Sequence, residues 1–215
     1  FWDRDPSVVN AEIAEWVADA KQKASGERVP DWDYFISYSH HDETIAREIG
    51  VIAPMISFTS GGSEANNLAI KNAPVERLLI SAIEHPAVIE SAKAAYKPAE
   101  FIPVTPQGVV DLEALAKLLE GPKALVSVML ANNETGVIQP LREVVALAQA
   151  HGALVHTEAV QAFGKIPVNF GLLAVDMMTI AAHKIGGPTG IGALVVRDGL
   201  PLEPLVHGGG QELRR

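Results

Sequence analysis

The sequence contains no cysteine among its 215 residues. That absence excludes disulfide bonds, thiolate metal sites and any sulfur nucleophile supplied by this chain. No metal site is predicted from the other residue types. Whatever chemistry the chain carries must therefore use nitrogen and oxygen groups.

Long apolar runs and a positive net charge are missing as well. No stretch approaches the roughly 18 to 20 consecutive apolar residues that a membrane span requires, and the charged start at residues 1–5 does not resemble a secretory leader. The net charge of -9 argues against a nucleic-acid role that depends on a basic surface. We therefore expect a soluble, cytoplasmic protein with neither a membrane nor a nucleic acid as partner.

After residue 50 the sequence alternates short apolar runs with helix-like stretches. This alternation predicts an α/β fold, in which a mostly parallel sheet is flanked by helices in three layers. Asp111 and Leu141 each open a run whose leucines or valines recur at helical spacing. The predicted strands are residues 55–58, 78–82, 125–130, 154–156 and 193–196.

The first fifty residues differ in composition from the rest, since all three tryptophans lie there. Apolar positions at helical spacing predict a surface helix over residues 8–24. Residues 32–42 resemble the opening strand and loop of a Toll/interleukin-1 receptor domain, although a chance apolar strand before a polar loop gives the same pattern. We predict an appendage of uncertain fold over residues 1–50 and a core domain over residues 51–215.

Lys184 lies between a short apolar strand and a glycine-rich turn that ends at Gly190. A lysine on a rigid strand end can form a Schiff base with an aldehyde cofactor, and the glycines leave room for a phosphate or substrate. An exposed strand end has the same pattern. The segment alone leaves both interpretations open.

Gly62 and Ser63 follow an apolar strand and open a helical run that ends near Lys71. Backbone N–H groups at a helix N-terminus, together with the helix dipole and the Ser63 hydroxyl, can bind a phosphate. The alternative is an ordinary strand-to-helix turn capped by serine.

Three further strand ends carry polar side chains: His85 before Pro86, Asn133 after Asn132, and Glu158 three residues before Gln161. At the carboxyl end of a parallel strand, a histidine ring can stack on a cofactor and an amide can bind a phenolic oxygen. A carboxylate can keep a pyridine nitrogen protonated. For each residue the alternative is a surface turn.

In this order the segments resemble those of the cysteine desulfurases, a group of class V aminotransferase-like enzymes that use pyridoxal 5'-phosphate. The resemblance includes the Gly-Gly-Gly-Gln-Glu segment at residues 208–212 and implies a homodimer that takes sulfur from cysteine, releases alanine and supplies iron–sulfur cluster or thio-cofactor assembly. A sulfur acceptor or scaffold protein is a further implied partner. The resemblance implies these roles: Lys184 as the Schiff-base lysine, His85 as the stacking and catalytic histidine, Glu158 at the pyridine nitrogen, Asn133 and Gln161 at the phenolic oxygen, and Gly62, Ser63 and His183 at the phosphate.

The sequence also departs from this family. Glu158 stands where the family has aspartate, and Ala181 where it usually has serine. The family's early active-site segment is not recognised in residues 1–50, and neither its small C-terminal domain nor its persulfide cysteine is present. We therefore expect an incomplete large domain in which the sulfur-transfer step cannot run on this chain alone.

Two alternatives remain open. One is another enzyme of the same branch, either a selenocysteine lyase or an aminotransferase, of which the aminotransferase needs no cysteine. The other is a non-catalytic interaction module that keeps the fold without the cofactor. Retention of pyridoxal phosphate separates the second alternative from the enzymes.

Overall fold

The computed structural model describes residues 49–50 and 55–205. Seven strands in these residues form one sheet. The strands are β1 Ile56–Thr59, β2 Arg77–Ser81, β3 Ala99–Ile102, β4 Ala124–Ser127, β5 Leu154–Glu158, β6 Met177–Ala181 and β7 Gly192–Val196. Across the sheet their order is β1-β7-β6-β5-β4-β2-β3.

Most of the sheet is parallel. The pairs β2–β3, β2–β4, β4–β5 and β5–β6 are parallel, whereas β7 is antiparallel to both β6 and β1. Because β1 and β6 are both antiparallel to β7, they run in the same direction. Strands β1, β2, β4, β5 and β6 therefore all end at one edge of the sheet, which we call the carboxyl edge.

The helices begin where the sequence supplies helix-start signals. Pro86 occupies the first turn of its helix, and the Asp111 carboxylate accepts hydrogen bonds from the Glu113 and Ala114 N–H groups, each at 3.0 Å. The predicted starts at Asp111 and Leu141 are confirmed. The helices are α1 Gly62–Asn72, α2 Pro86–Lys93, α3 Leu112–Leu118, α4 Leu141–Ala150 and α5 Phe170–Leu173, and a short 3-10 turn spans Ala182–Lys184.

Two apolar clusters cover the two faces of the sheet. Alternate residues of a strand point to opposite faces, so Leu78 of β2 packs in one cluster with Leu68 of α1 and Val88 of α2. Its neighbour Leu79 packs in the other cluster, which includes Val144 of α4. The predicted three-layer α/β fold is confirmed.

The strand predictions differ from the structure mainly at β3 and β4. Strand β5 also runs to Glu158, two residues past its predicted end, and β6 was predicted only as a short apolar strand before Lys184, without bounds. Strand β3 was not predicted, because at this sheet end only Ile102 is fully buried while Glu100 and Phe101 are exposed. Strand β4 ends at Ser127, although the Val128 and Leu130 N–H groups still donate to β5 carbonyls. The prediction of 125–130 was too long because the apolar run continues after pairing with β2 has stopped.

The helix predicted over residues 8–24 and the Toll/interleukin-1 receptor-like stretch lie outside the described residues. The domain boundary at residue 50 stays a prediction. None of the helices described here is long and apolar enough to cross a membrane.

Candidate active site

The predicted site segments meet at the carboxyl edge. Residues 60–63 follow β1, residues 82–85 follow β2, residues 128–133 follow β4, residues 158–161 begin with the last residue of β5, and residues 182–184 follow β6. Open α/β sheets bind ligands at the carboxyl ends of their strands. The structure thus brings the segments that carry all eight predicted cofactor residues to one edge, although they are far apart in the sequence.

The turn between β1 and α1 is held in place by its own hydrogen bonds and by β7. The Ser60 N–H and hydroxyl both donate to Glu64 Oε2, at 2.7 and 2.6 Å. Gly61 has a φ of 153°, which favours glycine. A Cβ at Gly192 of β7 would lie 2.5 Å from the Gly61 carbonyl carbon. Position 192 therefore admits only glycine without a backbone shift.

Gly62 and Ser63 open α1, a helix of eleven residues. The first N–H groups of a helix have no partner within the helix, and they carry the positive end of its dipole. A Cβ at Gly62 would lie 3.3 Å from Val160 Cγ2 and 3.6 Å from Ala181 Cβ, so a side chain there would fill the gap between α1 and the ends of β5 and β6. The N-cap residue Gly61 makes no side-chain cap hydrogen bond, so the first N–H groups of α1 are available to a ligand such as phosphate.

His85 is the N-cap of α2 and is exposed. Its Nδ1 accepts a hydrogen bond from the Ala87 N–H at 3.1 Å. An accepting Nδ1 carries no proton, so in the neutral ring the proton lies on Nε2. The imidazole is fixed at its backbone side and leaves an N–H group and a ring face for a ligand.

Glu84, next to His85, is a feature of the site that the sequence reasoning missed. Its side chain is buried, and Oε1 accepts from the Met129 N–H at 2.5 Å, while Oε2 is buried without a hydrogen-bond partner among the described residues. Burial raises the pKa of the Glu84 carboxyl well above its ordinary value; the Met129 bond opposes this shift and the Glu158 charge adds to it.

The two adjacent asparagines after β4 have different environments. Asn132 is buried: its amide donates to the Ile83 carbonyl at 3.0 Å, and its Oδ1 accepts from the Glu134 and Thr135 N–H groups. Asn133 is exposed. Asn132 thus builds the turn, and Asn133, the residue predicted to bind the cofactor, is left facing solvent.

Glu158 ends β5 and is 3% exposed. Its Oε1 accepts from the Val160 N–H at 2.7 Å. Burial raises the pKa of the carboxyl, while the Val160 bond and the positive charge of Lys184 lower it. Gln161 lies half-buried one turn later, and its Oε1 accepts from Lys165 Nζ at 2.5 Å, which leaves the Gln161 Nε2 donors for a ligand.

Lys184 and His183 lie on the 3-10 turn after β6, and both are exposed. The Ile185 and Gly187 N–H groups fold back to the Ala182 carbonyl, at 3.0 and 2.9 Å. The charge of Lys184 acts on the buried Glu158 carboxyl. The predicted lysine therefore lies close enough to the predicted carboxyl for its charge to lower the pKa of that group.

A second buried group that sequence reasoning did not assign is His156 in β5. Its Nδ1 lies 2.9 Å from Ser127 Oγ of β4 and its Nε2 lies 3.0 Å from Thr179 Oγ1 of β6. Burial lowers the pKa of His156 to about 3. The neutral ring links three adjacent strands directly before they end at the site.

The fold and the site segments have counterparts among known proteins. The NifS-like protein from Rickettsia africae is 34% identical, with a TM-score of 0.77 over 97% of this chain and 59% of that one. SspA, solved in complex with cysteine, is 34% identical with a TM-score of 0.74, over 80% of this chain and 53% of that one. The cysteine desulfurase IscS of Dictyoglomus turgidum is 42% identical over 179 residues, which make up 79% of this chain and 45% of that protein.

The structure is thus the α/β fold that NifS-like proteins contain. The profile of the aminotransferase class-V family matches residues 4–214, and the chain belongs to that family. It spans about half the length of the relatives it matches. The profile match begins at residue 4. Similarity to the family therefore extends into residues 1–50, where its early active-site segment was not recognised from the sequence. The segment at residues 208–212 lies outside the described residues.

Proposed function

We propose that the chain is the pyridoxal phosphate-binding core of a cysteine desulfurase, with L-cysteine as substrate and L-alanine as product. The observation that carries this proposal is the convergence at the carboxyl edge of a helix N-terminus, a histidine, two amide side chains, a carboxyl and a lysine, whose charge lowers the pKa of that carboxyl. The cysteine complex of SspA supports the choice of substrate.

The donor set fits the chemical groups of pyridoxal phosphate. The first turn of α1, at Gly62 and Ser63, offers N–H groups to a dianion, and His183 lies on the neighbouring exposed turn. Asn133 and the Nε2 of Gln161 would donate to the phenolic oxygen. Glu158 would face the pyridine nitrogen, His85 would stack on the ring, and Lys184 would hold the aldehyde carbon. When bound, the cofactor supplies an electron sink for a carbanion at the substrate α-carbon.

Individual residues of the chain would then have separate roles. Lys184, exposed on a short turn, would take up the proton of the α-carbon and return it. His85, whose Nδ1 accepts from the Ala87 N–H, would keep the cofactor ring in place and assist proton movement. The Lys184 charge and the Val160 N–H favour the carboxylate form of Glu158, which burial opposes. The sequence has no cysteine, so the thiol that accepts sulfur has to come from outside these 215 residues.

Assembly and location are part of the same proposal. We infer a cytoplasmic homodimer that passes sulfur to an acceptor or scaffold protein for iron–sulfur cluster assembly. Support for a dimer comes from Ile185 and Ile191, which flank the site turn and are 41% and 44% exposed. The name IscS among the relatives supports a role in cluster assembly. Sedimentation of the purified protein with and without pyridoxal phosphate tests the dimer.

The absorbance of retained pyridoxal phosphate tests the site. The protein is incubated with the cofactor, desalted and compared with Lys184→Ala, using Lys93→Ala as a matched control because Lys93 pairs with Glu90 on the surface of α2. We expect the cofactor band in the unaltered protein and in Lys93→Ala, and its loss in Lys184→Ala. Alanine release from cysteine, with an added thiol as sulfur acceptor, then tests the activity. A band that survives in Lys184→Ala, or its absence from the unaltered protein, would contradict the proposal.

A further inference from the structure

Two side-chain hydrogen bonds connect the turn after β2 with the turn after β4. The Met129 N–H donates to Glu84 Oε1, and the Asn132 amide donates to the Ile83 carbonyl, across 45 and 49 residues of sequence. Each connection lies directly beside a predicted cofactor contact, since Glu84 precedes His85 and Asn132 precedes Asn133. The pair of bonds therefore controls the distance between those two contacts.

The hydrogen bond from the Met129 N–H to Glu84 takes the place of a backbone hydrogen bond between β2 and β4. Strands β2 and β4 pair up to Ile80 and Ser127. Beyond that point the Val128 and Leu130 N–H groups still donate to β5 carbonyls. The intervening Met129 N–H does not join this β5 ladder, and β2 has turned away into residues 82–85. Met129 is fully buried, so an unpaired N–H would cost free energy there. The Glu84 carboxyl supplies the missing acceptor.

We infer that Glu84 is a positioning residue, which together with Asn132 fixes the turn of His85 against the turn of Asn133. The inference rests on the proposed function, because it assigns Glu84 a role toward a cofactor held by those two residues. It goes beyond the motif roles, none of which includes Glu84.

Filling space alone does not account for a glutamate at this place. An apolar side chain would fill the space without the cost of burying a carboxyl, and Glu84 Oε2 has no partner among the described residues. What an apolar residue cannot do is accept the Met129 hydrogen bond. Burial and the Glu158 charge both raise the pKa of the Glu84 carboxyl and so favour its uncharged form. Glutamine, which has the same length and an acceptor oxygen, should therefore replace it.

Hydrogen–deuterium exchange of the cofactor-free protein tests the connection directly. We expect Glu84→Ala to speed exchange at least tenfold in both residues 82–88 and residues 128–136, and Glu84→Gln to stay within threefold of the unaltered protein. Glu90→Ala, on the exposed face of the same region, is the control and should change neither segment. If Glu84→Ala does not fold, Glu84→Asp, which is one methylene too short to reach Met129, takes its place.

Affinity for pyridoxal phosphate tests whether Glu84 acts through His85. We expect Glu84→Ala to weaken binding at least tenfold, Glu84→Gln to restore it, and the double variant Glu84→Ala/His85→Ala to bind no more weakly than the weaker single variant, since residues that act through one contact are not additive. Additive losses, faster exchange in one segment only, or a glutamine variant as impaired as alanine would overturn the inference. Should the unaltered protein retain no cofactor, the proposed function fails, and the exchange experiment still decides whether Glu84 joins the two turns.

Discussion

Lowering the pH is expected to destabilise the protein through His156. The ring is completely buried between two hydroxyl groups, and its pKa is about 3 in the folded protein against an ordinary value of 6.5. The unfolded chain therefore binds a proton at a pH where the folded chain does not. Stability from this group is fully present above pH 6.5 and is lost as the pH falls toward 3.

The size of the effect follows from the two pKa values. The complete shift corresponds to about 5 kcal/mol, and about 2 kcal/mol of it is lost between pH 8 and pH 5. Glu84 and Glu158 act in the opposite direction, because their raised pKa values mean that the folded state binds protons more readily than the unfolded state. Their contribution to stability is lost as the pH rises through their folded pKa values. A histidine variant leaves that contribution in place, so comparison with the unaltered protein isolates His156.

Urea unfolding at pH values from 8 to 5 measures this difference. His156→Gln is expected to be less stable at pH 8 because it loses hydrogen bonds, but its free energy of unfolding should fall by about 2 kcal/mol less on acidification. Ser127→Ala is the matched control, since it removes one hydroxyl partner at 2.9 Å and keeps the titrating ring. It should be destabilised and keep the steep pH dependence. Equal slopes for His156→Gln and the unaltered protein would refute the assignment.

Three further substitutions follow from individual contacts. Gly192→Ala places a Cβ 2.5 Å from the Gly61 backbone. We expect it to lower the free energy of unfolding, measured in urea, by about 1–3 kcal/mol and to weaken pyridoxal phosphate binding. Gly171→Ala, whose Cβ would lie 3.4 Å from its nearest atom, should lower the free energy of unfolding less. Glu158→Gln removes the ionisable carboxyl from the site at nearly constant size. It should weaken pyridoxal phosphate binding by about 10- to 100-fold in an absorbance titration. An affinity equal to that of the unaltered protein would argue against a role of Glu158 at the pyridine nitrogen. Asp111→Ala removes the cap of α3 and should lower the unfolding free energy by about 1 kcal/mol without affecting cofactor retention.

Strands with two covered faces could be predicted from the sequence. Strands β2 and β7 are buried along their whole length, and their apolar runs at residues 78–80 and 193–196 mark them in the sequence. Strand β3 could not be found in this way, because it lies at the end of the sheet and exposes half of its residues. The order of the strands was not predictable either, since pairing depends on how the helices cross the sheet and not on local composition.

The candidate site likewise contains residues that the local sequence predicts and residues whose environment depends on distant parts of the chain. Motif residues such as Lys184 and His85 could be proposed from local pattern, because each follows a strand end and carries a recognisable chemical group. The burial of Glu84 could not be proposed, since its partner Met129 is 45 residues away, and glutamate is a residue type that is mostly exposed. His156 was missed for a similar reason: its two hydroxyl partners come from different strands, and nothing local marks the ring as buried.

The buried groups also decide which charges the carboxyl edge presents to a ligand. His156 is neutral, because its pKa is about 3. Glu84 and Glu158 repel each other's charge, and of the two only Glu158 has a lysine charge among the groups that act on its pKa. Burial favours the protonated form of both carboxyls, and only at Glu158 does the charge of a lysine oppose it. Of the two carboxyls, Glu158 is thus the one that, together with Lys184, would meet the protonated pyridine nitrogen and the aldehyde of the proposed cofactor.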